Sequence, residues 1–407
     1  MITFIFSITI GFKNIYTIYY SIAGDEVIYK ILSKKYIGMA FLILVIPVIV
    51  GIFSLSNSNG DKGVMAVNET EQIENNAGEK NFIKYAEFNI PYEILDKAMK
   101  IDIENHDKEI KINWIDVLAY LSAKYGGDFK NHYKAKDMDE VVSELNNGKS
   151  VDELTEKMKY FKYYKDVYTA VLGEFIGDYS VQVDTNENGE PIFEDKYGLK
   201  AFLPIAKTFP YQHYADFGAA RSYGYSRPHL GHDMMAAVGT PVIAIESGTV
   251  EIMGWNQYGG WRVGIRSFDK KRYYYYAHLR KDKPFHEELC EGKVVKAGDV
   301  IGYVGRTGYS SNENVNNIET SHLHVGLELI FDESQKECNN EIWVDLYDIV
   351  KLLAKNQSAV KRVAESKQFY RQFDFKEPNL SKWFEILEKN ALLLYTFYMR
   401  IFRIYHV

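Results

Sequence analysis

The stretch "TSHLHVGLEL", Thr320 to Leu329, alternates in character residue by residue and sets His322 and His324 two positions apart. A period of two predicts a β-strand, on which both imidazoles leave the backbone on one face. Two imidazoles side by side on a sheet are a costly decoration unless something uses them. By itself, an H-x-H pattern also fits a polar outer face.

The same period runs through the neighbouring sequence. After Tyr179, "VQVDTNENGEPIFED" predicts a hairpin with Asn188-Gly189 in its turn. Short strands with turn signals follow in "TPVIAIESGTVEIM", "WRVGIRS", "RYYYYAHL" and "KVVKAGDVIGYVG". Frequent strands without intervening helices predict a mainly antiparallel β domain over residues 179–360, closed by a helix from about Val344 to Ala354. Residues 89–178 read instead as an α-helical module. Pro91 suits a first helical turn before Ile94, Leu95, Ala98 and Ile101. Asn113 reads as an N-cap, Gly126-Gly127 as a stop, and a longer helix is expected from about Val151 to Phe175.

Upstream, "IGMAFLILVIPVIVGIFSL", residues 37–55, is uncharged and long enough to cross roughly 30 Å of hydrocarbon as a transmembrane helix. Lys30, Lys34 and Lys35 precede it, which places the N-terminal side in the cytoplasm and the rest of the chain beyond the cell membrane. Within residues 1–36 the first 22 are apolar apart from Lys13. They read as a second span, an interfacial segment or an over-extended gene start. Residues 56–88 have the composition of a flexible tether. Residues 361–407 form a tail whose apolar end, 391–407, carries Arg400 and Arg403 and reads as an interfacial or docked helix.

A formal net charge of −7 argues against nucleic acid as a partner. Cys290 and Cys338 are the only cysteines, which excludes a disulfide framework and a thiolate zinc site; they leave room for one bridge, with two free thiols the plainer expectation. Any metal must be held by His and carboxylate. "RPHLGHDMMA", Arg227 to Ala236, sets His229 four residues before Asp233, in a loop broken by Pro228 and Gly231. Spacing leaves that pair open between metal ligands and polar loop residues, since His278 and Asp282 repeat it. His278 ends the strand "YYYYAHL". His229, Asp233, His278, His322 and His324 together supply what a catalytic zinc site requires: three protein ligands with an open position, and groups left over for proton transfer.

Taken in order, "HLGHD" at 229–233, "YAHL" at 276–279 and "GRTGYS…SHLHVGLEL" from Gly305 resemble the lysostaphin-type zinc metallopeptidases, the LytM or M23 family. The resemblance covers roughly residues 200–350. It implies a groove over an antiparallel sheet, Zn²⁺ on His229, Asp233 and His324, and His278 with His322 as the catalytic pair. Two His and one Asp would equally accept cobalt or manganese. The implied substrate is peptidoglycan, cut at a stem or cross-bridge peptide bond by a membrane-anchored endopeptidase. The alternative is a scaffold of the same fold that regulates wall hydrolysis or sporulation; the sequence names no divisome or sporulation partner. His232 has no role in the family pattern. The chain departs from it between Ser310 and Ser321, where "SNENVNNIET" lengthens a loop beside the site and bears on substrate choice. The helical module is expected to be a spacer, a wall-binding element or a lid.

Overall fold

The computed structural model describes residues 2–9, 15–23, 26–31 and 82–378 except Cys338, in two compact units, Met1–Glu79 and Lys80–Val407. In the first unit β1 (Ile2–Thr9), β2 (Ile15–Ala23) and β3 (Glu26–Ile31) make an antiparallel meander. Within the apolar first 22 residues, the described positions 2–9 and 15–22 are strand, as runs of Ile, Tyr, Thr and Phe favour extended backbone. The segment 37–55, residues 56–81 of the expected tether and the tail 391–407 lie outside the described residues. Among those described, no helix is long and apolar enough to cross a membrane.

The second unit begins with packed chain. Residues 82–88, expected to belong to the tether, lie against the helices instead. Phe88 is buried edge-on to Tyr168 at 5.4 Å, and the Ile83 carbonyl accepts from Gln335 Nε2 at 3.1 Å. Helix α1 (Tyr92–Asn105) follows Pro91, and α2 (Trp114–Tyr125) starts where the Asn113 side chain accepts from Ile115 N. Gly126, at φ 63°, ends α2 in the left-handed conformation that glycine adopts without strain. Helices α3 (Phe129–His132) and α4 (Ala135–Asn146) come next. The single helix expected over 151–175 is two, α5 (Val151–Thr155) and α6 (Phe161–Leu172). Thr155 returns its hydroxyl to the Val151 carbonyl and its own carbonyl accepts from Met158 N, so the ladder stops in a turn.

The hairpin is β4 (Ile176–Thr185) and β5 (Pro191–Leu199), turning through Asn186–Glu190. The β domain then runs β6 (Tyr211–His213), β7 (Ala220–Arg221), β8 (Arg227–Pro228), β9 (His232–Ala236), β10 (Pro241–Ile243), β11 (Gly248–Asn256) and β12 (Gly260–Ser267). It continues with β13 (Arg272–Ala277), β14 (Val294–Val295), β15 (Val300–Tyr303), β16 (His322–Leu329), β17 (Ile342–Trp343) and helix α7 (Tyr347–Leu353). The main sheet is ordered β14-β11-β12-β13-β16-β9-β6, every described pairing being antiparallel, with β17 beside the end of β16. Strand β16 carries Leu323, Val325, Leu327 and Leu329 into the core, all fully buried, which fixes its register.

Residues 361–378 are not tail. Strands β18 (Val360–Arg362), β19 (Phe369–Arg371) and β20 (Phe375–Lys376) fold back, β20 pairing with β4. Phe375 is buried, and Glu377 reaches Lys200 at 3.3 Å and the Ser247 hydroxyl. One apolar core runs without a break from α1, α2 and α6 into the sheet. Where α6 ends, fully buried Arg272 donates to the Ala170 carbonyl at 2.7 Å and to Glu246 at 2.8 and 3.1 Å. A cation at a helix C-terminus is favourably placed, and the carboxylate offsets much of its desolvation.

Candidate metal centre

The register of the sheet builds the site. Asp233 on β9 stands directly opposite His324 on β16, and His324 opposite Ala277 at the end of β13. His278, the next residue, therefore arrives beside both. Its backbone is in the left-handed region, φ 59°, held there by donation of its N–H to the Gly259 carbonyl at 2.7 Å. Such a conformation costs a β-carbon-bearing residue on the order of 1 kcal/mol and is tolerated where surroundings fix it. His229 comes from the β8–β9 connection. A Cβ on Gly231 would lie 2.5 Å from His324 Nε2, so the chain passes close under that ring only because residue 231 is glycine.

Three donor atoms converge. His324 Nδ1 and His229 Nε2 lie 3.0 and 3.1 Å from Asp233 Oδ1 and 2.9 Å from each other. His229, Asp233 and His324 offer one ligand atom each within 4.8 Å of one another. Two nitrogens and a carboxylate oxygen at such separations match the donor set and reach of a divalent cation such as zinc. The tautomer agrees: His229 Nδ1 donates to the Asp216 carbonyl at 3.1 Å with the Asp216 carboxylate at 3.2 Å, which leaves Nε2 as the free lone pair. Burial lowers the basicity of His229, but bonds to Asp216 and Asp233 outweigh it and push its pKa up to about 9; a bound cation would take the place of that proton. Burial alone would raise Asp233, yet hydrogen bonds from His229 and His324 hold it far below the usual carboxylate range.

His278 and His322 face each other with ring centroids 4.8 Å apart. Each donates Nδ1–H to a carbonyl, Thr307 at 2.9 Å and Thr320 at 2.8 Å, so each turns Nε2 toward the site. Burial, reinforced by His322 and His324, keeps His278 well below the ordinary histidine value and neutral. Thr307 is itself fixed by donating Oγ1–H to the Leu279 carbonyl at 2.5 Å and accepting from Trp261 N.

All five residues singled out from sequence meet here. His232 points the other way, its Nε2 2.9 Å from His213 Nδ1, and burial with His213 lowers it to about 4. Sequence reasoning missed Asp216 and Arg221. Arg221 Nη2 bridges Asp216 Oδ2 at 3.2 Å and Asp233 Oδ2 at 3.0 Å, fixing the second oxygen of the acidic ligand candidate. Cys290 is an exposed free thiol.

With this geometry in view, residues 227–337 match the model of peptidase family M23, a stretch that holds His229, Asp233, His278, His322 and His324. An L-Ala–D-Glu endopeptidase of Bacillus subtilis (strain 168) is 33% identical over 179 residues, 43% of this chain and 49% of its own length. A glycyl-glycine endopeptidase of Staphylococcus capitis is 42% identical over 97 residues, 24% of this chain and 23% of its own. The chain spans about half the length of the first relative and a quarter of the second. Among solved structures, the catalytic domain of lysostaphin from Staphylococcus simulans is 30% identical, covering 35% of this chain and 92% of its own at a TM-score of 0.27.

Proposed function

We propose that the protein is a zinc-dependent endopeptidase that hydrolyses peptide bonds of peptidoglycan stems or cross-bridges. We take it to act outside the cytoplasmic membrane, anchored by residues 37–55. The observation that carries the reading is the convergence of His229 Nε2 and His324 Nδ1 on Asp233 Oδ1 beside the neutral His278 and its partner His322. A cation held by the first three would lower the pKa of bound water to about 7 and polarise the carbonyl under attack.

The chain's own groups supply the rest. His278 and His322 present Nε2 lone pairs to the same space because both Nδ1 protons are engaged by backbone carbonyls. One can accept the proton of the attacking water, and the other, once protonated, can donate toward the developing oxyanion or the leaving amine. Asp216 and Arg221 hold His229 and Asp233 in their inward orientation. The two relatives named above act on different bonds, so either an acidic stem or a glycine bridge is consistent with the family.

The test uses the full chain with peptidoglycan from walls with and without glycine bridges, identifying released fragments by mass spectrometry beside a His324→Ala control and metal analysis. New peptide ends from wild type alone, with one zinc per chain, are expected. Intact wall despite bound zinc would favour the scaffold reading.

A further inference from the structure

At the rim of the site, β7 and β8 form a two-stranded hairpin whose register sets Arg221 directly opposite Arg227. Opposed residues of an antiparallel pair project to the same side, where two like charges repel. The Arg221 charge is taken up by Asp216 and Asp233. Arg227 has no such partner: among the described residues no carboxylate lies within ion-pair distance, and its one hydrogen bond is Nη1 to the Tyr223 carbonyl at 2.7 Å. Three tyrosines surround the guanidinium instead, with its carbon 4.8 Å from the Tyr258 ring, 5.7 Å from Tyr225 and 5.8 Å from Tyr309. The tyrosine rings help to hold the cation without neutralising it.

That cage adjoins the reacting groups. The Tyr309 ring is 5.9 Å from His278, stacks on Tyr223 at 4.8 Å, and follows on from the Thr307 that orients His278. It is held by the lengthened loop, where Asn317 Nδ2 donates to the Tyr309 carbonyl at 2.6 Å and Asn314 accepts from Trp261 Nε1 at 2.9 Å. A planar donor fork with unused N–H groups, fixed beside a peptide-cleaving centre, is matched by a carboxylate on the substrate.

We infer that Arg227 is a specificity-determining residue that binds a free carboxylate on the peptide next to the scissile bond, so that the site takes acidic peptides over uncharged ones. This rests on the endopeptidase reading for the scissile bond, but the binding it asserts can be measured without cleavage.

The test compares the peptide L-Ala-γ-D-Glu-L-Lys-D-Ala with its twin in which the glutamate α-carboxylate is amidated. Both are titrated calorimetrically against the full chain and assayed for cleavage, using wild type, Arg227→Gln and Arg227→Lys. Wild type is expected to bind the acid about tenfold to a hundredfold more tightly than the amide, the range for a charge-assisted hydrogen bond pair. In Arg227→Gln the ratio falls to about one, through Kd or KM rather than kcat, and Arg227→Lys restores part of it. An Arg227-dependent preference in binding without cleavage would sustain the inference and sink the endopeptidase reading. Cleavage of both peptides at equal efficiency would do the reverse. Failure to bind either peptide, or a preference for the acid that survives in Arg227→Gln, would also overturn the inference.

Discussion

At the scale of single residues, the site depends on groups whose effect is indirect. Replacing Gly231 by alanine puts a methyl group 2.5 Å from His324 Nε2 and 3.0 Å from the Val325 carbonyl, so the ring must turn away. Gly231→Ala is expected to lose bound metal, measured by elemental analysis, while the far-UV spectrum stays native. Asp216→Asn keeps a hydrogen-bond acceptor beside His229 but removes its charge. It is expected to weaken zinc binding by about ten- to a hundredfold, the usual effect of altering such an outer partner. A zinc affinity within twofold of wild type would show that Asp216 does not position the ligand. The five candidates were legible in sequence as an ordered set of motifs; H-x-H and H-x-x-x-D spacing alone left each pair open, and the division into ligands and catalytic pair came from the family resemblance. Asp216 was not: it lies thirteen residues before His229 and meets it through both its carbonyl and its carboxylate, so no spacing announces it. Arg221 is hidden for the same reason, since only the fold brings it to Asp233.

Among the elements, β16 carries the most consequence, because its apolar face and its imidazole face are one register. The same strand ends in a buried liability. Glu328 is 4% exposed with Oε1 lacking a hydrogen-bond partner among the described residues, and burial together with Glu341 pushes its pKa up to about 8. The folded state then binds a proton more tightly than the unfolded chain, whose value is 4.5. Stability should therefore fall as pH rises from about 4.5 to about 8 and level off above that. Glu328→Gln should remove this slope and stabilise the protein by on the order of 1–2 kcal/mol at pH 8, the cost of a buried polar group without full compensation. Denaturant titrations at pH 5 and pH 8 measure both. Strands were the better-read elements, since alternation survives wherever one face is buried. The break between α5 and α6 escaped notice because Leu154, Met158 and Phe161 keep helical spacing through a turn that is not helix. The reversal at 360–376 escaped for another reason. Its strands are two or three residues long, too short for any period to show.

For the second unit as a whole, the helices and the sheet share one core, and Arg272 joins Glu246 to the end of α6 across about a hundred residues of sequence. No local pattern encodes such a link, which is why the helical region read as a separate module with a role of its own. Among the described residues, the hydrogen bonds and ion pairs of the five site residues stay within the β domain and do not reach those helices. Denaturation of this unit is expected to be one transition by fluorescence and circular dichroism alike. Arg272→Ala, which strands Glu246 in the interior, should cost about 3–5 kcal/mol. Two separated transitions in wild type would contradict the shared core. The return of Glu377 to Lys200 and Ser247 has a consequence for how the protein is made. A ribosome releases residue 200 long before residue 377, so early in synthesis Lys200 has its ion pair with Glu174 but not the one with Glu377, and β4 lacks its outer neighbour. The sheet β20-β4-β5 therefore completes well after the histidines of the main sheet have been made, so the site strands are synthesised before this flank of the unit is in place.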